Sequence, residues 1–213
     1  LAAILIPTIG KVRDSAYSAK TVSNLRQLYQ ANKMHANDYK GLYVPLVSNS
    51  LPGNGATPAQ WFNSPIFGAY ANSEKNNAGD VTLGDNTVFH SGKPNANQGV
   101  VSIALNLGET GYPQNFSLKE SEVASKMPQM IMFCDGMIFA VYGTEARNSP
   151  ATWDDSAAWT GFGKVAFRHG GKANAVLATG NVIKFSLADL SNTATYNRYF
   201  PNVASGSKAA APY

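Results

Sequence analysis

Cysteine is nearly absent, with Cys134 the single example among 213 residues. One thiol closes no intramolecular disulfide, and without a CxxC or a paired Cys/His spacing there is no zinc signature. Charge is sparse at 14% of residues. No uninterrupted apolar run approaches the roughly twenty residues that a membrane-spanning helix needs. The G-x-S-x-G, P-loop, G-x-G-x-x-G and H-E-x-x-H patterns are all missing, which removes the commonest motif-bearing enzyme classes. What is present is 44% hydrophobic residues with 19 glycines and 11 prolines. That describes a loop-rich globular chain, neither disordered nor collagen-like, and long enough to bury a core without staples.

The formal net charge of +4 sits at one end. Residues 1–40 carry six bases (Lys11, Arg13, Lys20, Arg26, Lys33, Lys40) against Asp14 and Asp38, while the rest of the chain carries 11 of each sign. These bases are scattered around a helix, without interleaved exposed aromatics and without a helix-turn-helix or RNP motif, so no nucleic-acid partner is expected. The seven residues Leu1 to Pro7 carry no charge and precede Lys11 and Arg13. Two readings stand open: a membrane helix leaving the bilayer with Lys11 and Arg13 at the headgroups, or a buried helix end.

From Ile9 to Tyr39 there is no proline, and apolar or small residues recur in steps of three and four through Val12, Ala16, Ala19, Val22, Leu25 and Leu28. The spacing predicts one amphipathic helix. Gly41 supplies its stop, and Pro7 is expected to kink or locally break it. Some thirty residues at 1.5 Å make a rod of about 45 Å, longer than the core requires, so part of it should project. Residues 42–128 read as irregular, with a strand in Gly99 to Leu105 and a short helix after Pro58 that turns Trp61, Phe62, Ile66, Phe67 and Tyr70 to the core. An aromatic ligand site is the alternative there. Asp135-Gly136 between two apolar runs predicts a hairpin, and residues 164–185 predict a three-stranded meander. The expected fold class is α+β: a long N-terminal helix (1–41) packed on the antiparallel β-sheet of a head (42–213).

Candidate chemistry is thin. Cys134 could pair with His35, His90 or His169, but a small buried sulfur in a hydrophobic strand is its ordinary reading. Asp154 and Asp155 are weak calcium candidates without EF-hand spacing, more in keeping with a solvated acidic loop. A lone His169 beside Gly170-Gly171 is a weak acid–base or metal signal.

Leu1 to Pro7, Lys11-Val12-Arg13, Asn24 to Leu28 and Met34 to Gly41 resemble, in order and spacing, the exit of the N-terminal helix in bacterial type IV pilin-like proteins and type II secretion pseudopilins. Phe167 to Val182 resembles the H-x9-DG prepilin-processing-associated domain of the Planctomycetes–Verrucomicrobia type, with nine residues separating His169 from Thr179-Gly180. Thr179 stands where that family has Asp. Met130 to Gly136 is similar to the family's strand-and-DG segment, and Val88 to Ser91 falls where related chains carry a short strand.

The resemblance implies a non-catalytic structural subunit of a type IV pilus-like or pseudopilus filament. Its expected partners are other copies of itself and related pilin-like subunits, a prepilin peptidase acting on the precursor, and the inner membrane before assembly. It implies a place in the bacterial cell envelope, with the head in the periplasm or on a surface filament. The family's leader, cleavage glycine and early glutamate match no residue of this sequence, so a processed or shortened chain is expected. Leu1, Ile4, Leu5, Ile6 and Ile9 are then the membrane and helix-packing residues, with Lys11 and Arg13 at the boundary and no cofactor beyond a possible calcium ion. Two alternatives stay open: an adhesin-like pilin subunit binding a ligand through its middle loops, which exposed aromatics around Trp61 or Trp153 would favour, and a secreted carbohydrate-binding protein or hydrolase, which would need a cleft with convergent carboxylates.

Overall fold

The computed structural model describes residues 2–48, 59–62, 64–71, 88–91, 101–109, 116–137, 139–148, 163–203 and 207–210. Helix α1 spans Ala2–Asp38. The helix runs on through Pro7 without the local break expected there, although proline supplies no backbone donor to the ladder. At the other end Gly41 N donates to Ala36 O at 2.7 Å, with Lys40 (φ 55°) and Gly41 (φ 76°) both left-handed. That six-to-one closure satisfies the end of the helix as a Schellman cap does.

The chain continues through β1 (Val47–Ser48), β2 (Ala59–Gln60), α2 (Pro65–Tyr70), β3 (Ile103–Asn106), β4 (Phe116–Leu118), α3 (Glu120–Lys126), β5 (Ile131–Asp135), β6 (Ala140–Val141), α4 (Gly143–Asn148), β7 (Lys172–Leu177), β8 (Val182–Ser186), α5 (Leu187–Ser191), α6 (Thr193–Tyr199) and β9 (Lys208–Ala210). The local chemistry of these elements is ordinary. Ser64 caps α2 with Pro65 in its first turn. Ser186 and Asp189 form a capping box at α5, and the Asn192 side chain caps α6.

The main sheet has strand order β6-β3-β5-β7-β8. It is mixed, not antiparallel as expected: β3 pairs in parallel with β6 and antiparallel with β5. The Asp135-Gly136 hairpin is likewise overturned, because β5 and β6 lie on opposite sides of β3. Neither Asp135 nor Gly136 takes the positive φ that a type I′ turn needs. Gly136 N bonds instead to Ser102 O, and Gly136 bridges to Val165. Of the three-stranded meander, β7 and β8 form a true hairpin, whereas residues 163–166 touch Gly136 and Val141 through isolated bridges and do not pair with β7. Trp61 and Phe62 fall on a turn ahead of α2, which begins only at Pro65.

One face of the sheet carries Ile103, Leu105, Met132, Phe133 and Val176, packed with Leu25, Leu28, Ala31 and Ala36 of α1. The other carries Ala104, Ile131, Cys134, Ala173, Ala175, Leu177 and Phe185, packed with Leu190, Tyr196 and Phe200 from α5 to the end of α6. Along β5 the register shifts between Ile131 and Phe133. This bulge places Met132 and Phe133 on the same side and turns Asp135 toward α1.

Candidate functional site

The helix meets the rest of the protein in three stretches. From Ile9 to Ala16 every residue is exposed, with Ile9 at 61% and Val12 at 69%. Ile9, Val12, Arg13 and Ala16 line a shallow, almost wholly apolar hollow. Arg13 stacks its guanidinium over the Tyr17 ring at 5.6 Å, and Lys11 is exposed. From Ser18 to Asn24 the face turned to the head is polar, with Ser18, Thr21 and Asn24 all buried. From Leu25 onward the buried face is chiefly apolar. Ile4, Leu5 and Ile6 lie in the first turns of α1, and Leu1 lies outside the described residues, as do Asp154 and Asp155.

The polar stretch docks on a buried cluster. Asp135 Oδ2 accepts from Asn174 N at 2.8 Å and Asn174 Nδ2 at 3.3 Å, and sits 3.3 Å from His169 Nε2. Ser18 Oγ donates to Asn174 Oδ1 at 3.3 Å. Thr21 Oγ1 lies 3.0 Å from Ser91 Oγ and 3.5 Å from His169 Nε2. Asn24 Nδ2 donates to His90 O at 2.8 Å. Beneath them Arg168, fully buried, donates from Nη1 to Ser102 O and from Nη2 to Gly136 O. Burial pushes its guanidinium down to about 10, opposed by the neighbouring Asp135 charge. The pair keeps one positive and one negative charge together out of water, the condition under which buried charges are tolerated.

Carboxylate, imidazole and hydroxyl are thus assembled, but not as a relay. A Ser-His-Asp device places acid and nucleophile on opposite ring nitrogens. Here Asp135 and Thr21 both approach Nε2, and His169 Nδ1 has no hydrogen-bond partner among the described residues. The Thr21 proton is directed to Tyr17 O at 3.0 Å. What the arrangement accomplishes chemically is attachment: α1, the 88–91 segment, β5 and β7 share one hydrogen-bonded knot.

His169 therefore pairs with Asp135, not across the β7–β8 hairpin. Thr179 and Gly180 form the turn at the far end of that hairpin. Gly180 (φ 85°) lets the Tyr29 ring approach, since a Cβ there would sit 2.8 Å from Tyr29 Cε1, and the Tyr29 hydroxyl donates to Ala178 O. The two halves of the H-x9-DG-like motif touch α1 at two separate points.

Cys134 is fully buried and its thiol is pushed well above the usual range, first by burial and then by Asp135, so it is no thiolate nucleophile. Trp61 is buried among Phe62, Phe67, Phe89 and Phe133, with Nε1 donating to Phe139 O at 2.7 Å, and offers no exposed aromatic platform. Trp153 lies outside the described residues. Among the described residues no group of three His, Cys, Asp or Glu side chains could hold a metal ion, and no helix is long and apolar enough to cross a membrane. Compared with protein-family models, curated proteins and solved structures, the chain finds no match.

Sequence reasoning missed the knot. The signal was there: Asp135 ends the otherwise apolar run Met130 to Cys134, and a carboxylate in such a strand needs a buried partner.

Proposed function

We propose that the protein is a non-catalytic, pilin-like structural subunit that assembles through its N-terminal helix into a type IV pilus-like or pseudopilus filament. The observation that carries this reading is the exposure of Ile9 and Val12 on a helix whose following turns are fastened to a folded head. An isolated subunit leaves that apolar surface in water, and burying it against further copies would recover roughly 1.5–3 kcal/mol per large side chain. A contact that is not self-complementary propagates into an open filament. The knot around Asp135 and His169 supports the same reading, because a spine transmits position to a head only when the two are rigidly joined.

The test is electron microscopy of filaments sheared from cells expressing the full-length gene, beside an Ile9→Asp, Val12→Asp double variant. Both side chains are exposed, so the head is expected to fold unchanged while filaments disappear. Wild-type cells without filaments, or a variant with filaments as abundant as the wild type, would sink the proposal.

A further inference from the structure

Beside the knot, on the outer flank of α1, runs a groove of about 530 Å³ whose lining includes Ser15, Ala19, Val22, Ser23, Arg26 and Lys184. Its helix wall is small and uncharged apart from Arg26. Opposite that wall stands Lys184, from the last strand of the main sheet. No strand among the described residues lies beyond β8.

The register says which backbone groups that edge offers. Leu177 N bonds to Asn181 O, and Ala175 and Ala173 face Ile183 and Phe185. By the alternation of an antiparallel ladder, Ile183 and Phe185 turn their N–H and C=O groups toward β7, while Val182 and Lys184 turn theirs outward. Ser186 N, next in the outward set, is already taken by Asp189 Oδ2 at 2.7 Å. Lys184 lies opposite Asn174, whose side chain meets Ser18 of α1, so the Lys184 side chain stands on the groove side of the sheet.

We infer that this edge and groove form a docking site for an extended acidic segment of a partner protein, which adds to β8 as a further strand and places a carboxylate between Lys184 and Arg26. The mode is strand addition, with main-chain bonds giving affinity and alternate side chains giving choice. Two cations and, among the described residues, no acid line the groove, so the complementary chain is acidic. A lysine on an edge strand ordinarily discourages pairing. Here it discourages one partner in particular: a second β8 paired antiparallel about Lys184 would set Lys184 opposite Lys184, and like charges directly opposed are destabilising. An acidic strand meets the same side chain as an attraction. This inference does not depend on the filament reading.

The probe is a fluorescein-labelled peptide of alternating valine and glutamate, titrated into the full chain and followed by anisotropy. Binding is expected to weaken about tenfold in Lys184→Glu and in Arg26→Glu, a loss of about 1.4 kcal/mol, and to fall with added salt. Both residues are exposed, and circular dichroism checks that the variants fold. Amide exchange at Val182 and Lys184 should slow when the peptide is present. A valine–glutamine peptide that binds equally well, exchange at those two amides that does not change, or no binding at all would each overturn the inference.

Discussion

Asp135 sits at 0% exposure at the end of a strand buried along its whole length, and it survives there because Asn174, His169 and Arg168 surround it. Removing it leaves the Arg168 guanidinium without its neighbouring counter-charge. Asp135→Ala is therefore expected to lose about 3 kcal/mol, as broken buried pairs do, read from the midpoint of urea unfolding. Asp135→Asn, which still accepts from Asn174 N, should lose less. His35 offers a second reading at this scale. It stacks on Tyr39, with Phe67 and Tyr70 edge-on. Burial lowers its pKa below the usual 6.5, with the Leu42 carbonyl bond and the Asp38 charge pulling the other way. As pH drops below 6.5 the unfolded chain takes up a proton that the folded chain refuses, so the unfolded state binds more protons and stability falls. The contribution is complete above pH 6.5 and is lost toward the lower folded value. Urea titrations between pH 7.5 and roughly 5 should show this slope, and a His35→Gln variant should flatten it.

Elements with a strong period were legible in the sequence and elements defined by pairing were not. α1 could be read from its three-four spacing, and β7–β8 from two apolar runs around Thr179-Gly180. The same apolar runs around Asp135-Gly136 misled, since turn propensity says nothing about which groups claim the flanking backbone, and Ser102 and Val165 claim Gly136. The short helices α5 and α6 that cover the second face carry capping signals but too few turns for a period. Within the site, His169 was singled out, and its partner was not. Contacts across 34 residues of sequence leave no spacing to read. The β7–β8 turn also makes its own test. In Gly180→Ala the new Cβ meets the Tyr29 ring at 2.8 Å at a φ of 85°, an expected loss of about 1–2 kcal/mol from the left-handed backbone alone. Adding Tyr29→Ala relieves the clash, so the double variant should lose less than the sum of the two singles in thermal unfolding, a coupling of the kind contacting residues show.

For the whole molecule, the burial of α1 is graded: apolar and tight at its C-terminal end, polar through Ser18, Thr21 and Asn24, and replaced by exposed side chains from Ile9 to Ala16. Hydrogen exchange on the isolated chain is expected to follow that order, slowest around Leu25 and Leu28 and fastest between Ile9 and Ala16. Protection as strong at Val12 as at Leu28 would contradict it. The polar middle of this gradient hangs on the extra residue in β5. A strand is a two-beat sequence, and an insertion of one residue shifts everything after it by half a period. Without the bulge at Met132, Cys134 would arrive beneath the helix and Asp135 would point into the apolar layer beside Phe185 and Leu190. The head's connection to its spine is thus stored as a phase, set by where the strand takes up its extra residue. A substitution in that strand can weaken the joint, whereas losing the bulged residue itself would straighten the strand and leave Asp135 on the helix side, still facing Asn174.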